Sequence, residues 1–129
     1  MKPYLIILYL IVLVATGATA DGLNETGQQG WGHLLESIEL LMAFSFVFLF
    51  KLITWREFIL ALVAYTFFRV AGFDYIHNLV AGNTWDYICE GENCNWWDQL
   101  LSNWEPGGVA FARFVFFVTG ISIPFKYLR

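Results

Sequence analysis

Glu36, Glu39, Arg69, Asp74, His77 and Arg113 are ionisable residues set inside stretches that are otherwise apolar. A lone charge in hydrocarbon costs at least about 2.5–3.5 kcal/mol on insertion scales, so such residues pair, turn toward other helices or reach for water. Glu36 and Glu39 stand three apart and share a helix face. They can meet Arg69 or Arg113, which leaves Asp74 beside His77. Arg69 and Asp74, five apart, point in different directions and are poor partners for each other. The expectation is a charged layer, buried or water-filled, in the outer third of a membrane.

Three kinds of chemistry fit such a layer. Ion pairing can fix how helices pack, the layer can form a polar path for an ion or small solute, or it can hold a metal. For the last, His33-x-x-Glu36, Glu36-x-x-Glu39 and Asp74-x-x-His77 offer imidazole and oxygen ligands at helical spacing. A ferritin-like di-iron centre uses Glu-x-x-His on two helices plus Glu on two others, and this chain has neither that order nor that number. Structural pairing is the favoured reading, and no cofactor is expected. There is no nucleophile elbow, phosphate loop, H-E-x-x-H or C-x-x-C-H, and Ser and His are too sparse for a triad, so no catalytic residue is assigned.

Cys89 and Cys94 enclose Glu90-Gly91-Glu92-Asn93. In an oxidising compartment such a pair becomes a structural disulfide, and the Gly lets a small ring close. Redox-active pairs use C-x-x-C, and zinc would need two further ligands.

These residues must be carried by membrane-spanning helices. The 129 residues are 58% hydrophobic and 14% charged, with 19% aromatic, whereas a soluble domain carries about 25% charged residues. A soluble protein of this size has too much surface to hide that much apolar area. Lipid is the expected partner. The acidic balance, seven Lys plus Arg against eleven Asp plus Glu, and the lack of a basic run argue against nucleic acid.

Residues 1–20 read as a secretory signal: Lys2, an apolar Tyr4–Val14 stretch, and Ala18-Thr19-Ala20 before Asp21. The alternative is an uncleaved anchor helix, against which the apolar run is short. Residues 21–129 then form a single membrane domain, with 21–32 as a polar, Gly-rich lead-in. Spans are expected at about 34–55, 58–81 and 108–125, with a tight turn at Trp55-Arg56-Glu57 and a helix stop at Gly82-Asn83. Between them lies the polar segment 83–106. In it Trp97, Leu100, Leu101 and Trp104 recur at i, i+3, i+4, i+7, the pattern of an amphipathic helix lying on the membrane surface. Trp31, Trp55, Trp85, Trp96, Trp97 and Trp104 are candidate interfacial anchors. Gly108-x-x-x-Ala112 could allow close approach of a neighbouring helix.

Lys51 and Arg56 flank the first turn, Lys126 and Arg129 close the chain, and residues 21–50 and 70–112 contain no basic residue. Lys and Arg in short loops mark the cytoplasmic side. The 51–57 turn and Arg129 are therefore expected inside and the 83–106 loop outside, with a bacterial inner membrane as the default location.

The expected fold class is an all-α integral membrane protein. It is a three-helix transmembrane bundle after an N-terminal signal segment, with an outer-face amphipathic helix in a disulfide-containing loop. The expected function is a small non-catalytic membrane component, an accessory subunit of a complex or a self-assembling oligomer. A pore-former or small channel, including a phage holin-like permeabiliser, is the alternative. A metal-binding membrane enzyme subunit is the third.

Overall fold

The computed structural model describes residues 3–50, 54–85, 87–88 and 96–127. Their regular structure is entirely helical: α1 Pro3–Glu25, α2 Gln29–Leu49, α3 Trp55–Ala81, α4 Trp96–Leu101 and α5 Pro106–Tyr127. Among the described residues, α1, α2, α3 and α5 are long and apolar enough to cross a membrane. That is one candidate span more than the three expected to follow a signal segment.

The additional candidate is α1, which the small residues at 15–20 continue as helix beyond the apolar stretch. Thr16 and Thr19 donate their hydroxyls back to the carbonyls of Val12 and Ala15, at 2.9 and 2.8 Å. Their polarity is thus met within the helix, as a membrane span requires. The helix runs on through Ala20 to Glu25, and its 23 residues reach roughly 35 Å, enough for a hydrocarbon core of about 30 Å.

α1 is also the centre of the molecule. In its apolar stretch 44% of the residues are buried, against 11% in α2, 22% in α3 and 28% in α5. It packs on α2 and α3 and more lightly on α5, while α3 packs on both α1 and α5. The core joins Ile6, Leu10 and Val14 of α1 to Phe46 of α2 and to Ala61, Ala64 and Phe68 of α3.

The contacts give the directions. The Tyr9 hydroxyl donates to the Met42 carbonyl at 2.8 Å, and Asn24 reaches Glu36, so α1 and α2 are antiparallel. Gly22 lies against Val80, so α1 and α3 run parallel. Phe68 lies against Gly120 and Asp74 against Arg113, so α3 and α5 are antiparallel. The close approach on α5 occurs at Gly120, whose missing side chain admits the Phe68 ring. At Gly108, the residue of the small-xxx-small pair, the neighbour is its own Trp104 ring.

The connections explain the shifted boundaries. The segment 21–32, expected as an extended lead-in, is instead the last turn of α1, a short turn and the first turn of α2. Gly27 makes the reversal at φ 81°, a left-handed conformation that glycine adopts without strain. Trp55-Arg56-Glu57, expected as a turn, is the first turn of α3. Thr54 is its N-cap: the Thr54 hydroxyl accepts from the Glu57 amide, and the Glu57 carboxylate accepts from the Thr54 amide. This capping box satisfies two of the orphan donors of the helix start. α3 ends at Gly82 in the left-handed conformation, φ 80°, where the sequence signals a stop.

Candidate functional site

The charged residues form two separate groups, one where α3 meets α1 and α2 and one where α3 meets α5. The first joins α1, α2 and α3. Arg69 Nη1 lies 3.8 Å from Glu39 Oε1 and donates to the Tyr65 hydroxyl at 3.0 Å. The Tyr65 hydroxyl in turn donates to Glu39 at 3.5 Å. The Arg69 guanidinium also lies 4.0 Å from the Phe73 ring centre, and Phe73 stacks on His77. His77 Nε2 meets Glu25 Oε2 at 2.9 Å.

Tyr65, Arg69, Phe73 and His77 are each four residues apart, the spacing at which helical side chains stack one above the next. The periodicity is visible in the sequence once the aromatic residues are counted with the charged ones. Glu39 reaches this stripe because α1 offers Gly17 where its carboxylate sits; any side chain at 17 would overlap it.

Glu36 does not meet an arginine. It accepts from the Asn24 amide at 2.6 Å and pairs with His33 Nδ1 at 2.9 Å, one turn away on its own helix. Asn24 and Glu25 are members of the polar layer that a loop assignment for residues 21–32 conceals. As a helical continuation, Asp21, Asn24 and Glu25 at i, i+3, i+4 would have marked a polar face.

The second group joins α3 and α5. Arg113 Nη2 donates to Asp74 Oδ2 at 2.6 Å, and the guanidinium lies 4.4 Å from the Tyr75 ring centre. Asp74 is thus held by Arg113, not by His77. Arg113 is only 4% exposed, and its Nε has no acceptor among the described residues. Glu39 lies by Arg69, one of the pairings expected from the sequence, whereas the others differ: Asp74 is with Arg113, His77 with Glu25, and Glu36 with Asn24 and His33.

Among the described residues, no three of His, Cys, Asp and Glu come together as metal ligands would. The weak metal candidates His33, Glu36, Glu39, Asp74 and His77 are instead spread over separate pairs.

Two cavities flank the layer. One, of about 480 Å³, opens between α2 and α3 with α1 as its floor. Its walls are apolar, including Leu10, Phe46 and Leu62, and its polar end carries Glu36, Glu39 and Tyr65. The other, of about 790 Å³, lies between α3, α4 and α5. Tyr75, Trp85, Tyr87 and Trp104 line it, and Arg113 is its deepest residue along α5. The buried Asn78 side chain donates to the Tyr87 carbonyl at 2.7 Å, tying the segment after α3 over the helix end and shaping this cavity. Leu101 of α4 is buried against it, while Leu100 and Trp104 remain about half exposed.

Trp31 and Trp55 stand exposed at the first turns of α2 and α3, at opposite ends of the bundle, and Trp85 and Trp104, which line the second cavity, are exposed as well. Cys89 and Cys94, with the side chains of Trp96 and Trp97, lie outside the described residues. The chain matches no protein family, no curated protein and no solved structure.

Proposed function

We propose that this chain is a non-catalytic membrane component that assembles laterally with helices of a partner subunit or of further copies of itself. The observation that carries this reading is the groove between α2 and α3. α2 rests on α1 and leaves about 480 Å³ open beside α3. Between helices in lipid, association is driven by close packing and by polar groups that find partners. The groove has the shape for the first and, at Glu36, Glu39 and Tyr65, the groups for the second. A pore-former would need a polar lining along its length, and this groove is polar at one end only.

In this reading the ends of the spans bearing Lys2, Lys51, Arg56, Lys126 and Arg129 face the cytoplasm of a bacterial cell, following the bias of basic residues. The alternating helix directions support it, because Arg56 and Lys126 fall at the same end of the antiparallel pair α3 and α5. Residues 1–20 act as an insertion signal that stays as the first span, since removal after Ala20 would take away Ile6, Leu10 and Val14 from the core. Cys89 and Cys94, in the segment on the far side, form a disulfide there.

The test is purification of the full chain from its native membrane in mild detergent, with mass spectrometry of what accompanies it and light scattering of the particle. A stoichiometric partner or a particle of several copies is expected, and Ala43→Trp, which fills the groove, should release it. A lone monomer unaffected by Ala43→Trp refutes lateral assembly. Intact mass measures retention of residues 1–20: a chain shortened by that segment refutes the anchor role of α1.

A further inference from the structure

We propose that the cavity between α3, α4 and α5 binds a phosphate oxyanion, with Arg113 Nε donating to one of its oxygens and the rings of Tyr75, Trp85 and Trp104 flanking the group esterified to it.

The starting point is an unmet donor. Arg113 commits Nη2 to Asp74 at 2.6 Å, and its guanidinium rests on the Tyr75 ring. Nε is buried without an acceptor among the described residues, on a residue 96% withdrawn from solvent, and Arg113 lines the cavity. Buried polar groups are almost always satisfied, and a charged donor left alone is the most costly exception. An anionic oxygen entering this cavity supplies the missing acceptor, and guanidinium groups are well matched to phosphate oxygens.

The surroundings narrow the class. About 790 Å³ is far more than a bare ion needs and falls in the range of sites for small organic ligands. Its aromatic walls suit an uncharged or cationic ester substituent, which packs on ring faces. Asp74 already balances the charge of Arg113, so the site accepts a singly charged diester more readily than a dianion. Arg113 lies seven residues along α5 from Pro106, roughly 10 Å along the helix axis. An arginine side chain at that depth reaches toward the interface, where Trp and Tyr gather and lipid phosphates lie. The same chemistry is offered by a lipid headgroup in the leaflet on the α4 side and by a soluble phosphate compound.

The test is thermal unfolding of the full chain in a non-ionic detergent. It is run with added phosphatidylglycerol, with diacylglycerol of the same chains, and with inorganic phosphate against chloride of equal ionic strength. A ligand that binds the folded form alone raises the midpoint. A rise of several degrees with phosphatidylglycerol and none with diacylglycerol is expected and identifies a lipid headgroup. A rise with inorganic phosphate above chloride supports the same oxyanion site with a soluble source. Equal rises with the two lipids, or no rise with either phosphate-bearing compound, overturn the proposal. Arg113→Lys keeps the charge and loses Nε, and should abolish the rise. Ala110→Trp fills the cavity while keeping both Asp74 and Arg113, so it carries the test if the Lys variant does not fold. A full rise in Ala110→Trp also overturns the assignment.

Discussion

Arg69 and Arg113 are the same side chain in similar helices, and the bundle uses them in opposite ways. Arg113 is closed into the seam between α3 and α5, 2.6 Å from Asp74, with its side chain 5% exposed. Arg69 stands at the open side, 3.8 Å from Glu39, with 41% of its side chain exposed. The sequence environments do not foretell this: both arginines are flanked by Phe and small apolar residues. What separates them is the neighbour across the seam. α5 closes over Arg113, whereas α2 leans away from α3 and leaves the Arg69 side open. Burial turns one ion pair into a clamp, and its lack leaves the other as a polar handle beside a groove.

Arg113→Ala should give the largest loss, about 3–5 kcal/mol, as when one member of a buried pair is removed and the other is stranded. Unfolding midpoint and folded yield in detergent measure it. The double variant Asp74→Leu with Arg113→Met should recover most of that loss, because an apolar pair leaves no stranded charge. If it recovers nothing, the clamp description is wrong.

Gly120→Val probes the same closed seam by volume. A Cβ there would lie 3.2 Å from the Phe68 ring, which is buried and edge-packed on Phe117, so a loss of about 1–3 kcal/mol is expected in the same melt. Gly72→Val, with open space around position 72, is the matched control and should cost nothing comparable. On the open side, Gly17→Ala displaces the end of the Glu39 side chain, which can swing into the groove. Its loss should be smaller than that of Gly120→Val, and a larger one would mean that the Glu39 side is the tighter of the two.

The smallest effect on stability is expected from Arg69→Ala, at or below about 1 kcal/mol, the range of partly exposed ion pairs. Its effect should appear instead in assembly, as a reduced share of the oligomer or partner complex by light scattering. An Arg69→Ala variant that unfolds as readily as Arg113→Ala would erase the contrast between the two sides.

Much of the scaffold is legible in the chain. The apolar runs that become α2, α3 and α5 exceed the length of a bilayer core, and Gly82 stops α3 where a left-handed residue is needed. α1 is less legible because Ala15 to Ala20 have two meanings. Small residues before an acidic one resemble a processing site, and the same residues allow a helix to be surrounded closely, as Ala18 and Ala20 are. Local pattern cannot choose between them, since the choice depends on three other helices. Pairing is obscure for the same reason. Spacing tells which face Glu36 and Glu39 share, but not that Gly17 opens a slot for Glu39 while Asn24 captures Glu36. The Thr54-x-x-Glu57 capping box, by contrast, is a readable local signal, and it moves the start of α3 into what otherwise looks like a turn.

The central position of α1 has a consequence for how the protein is made. α1 is synthesised before the helices that finally pack around it, so this bundle grows from the inside outward. α2 can fold back on it at once through the turn at Gly27, as a hairpin closed by Tyr9 and Asn24. The other flank of α1 must wait in lipid until α3 and then α5 are synthesised and slide into place. Its glycines and threonines, which present little bulk and keep their hydroxyls occupied, suit a helix that is solvated first by acyl chains and only afterwards by protein.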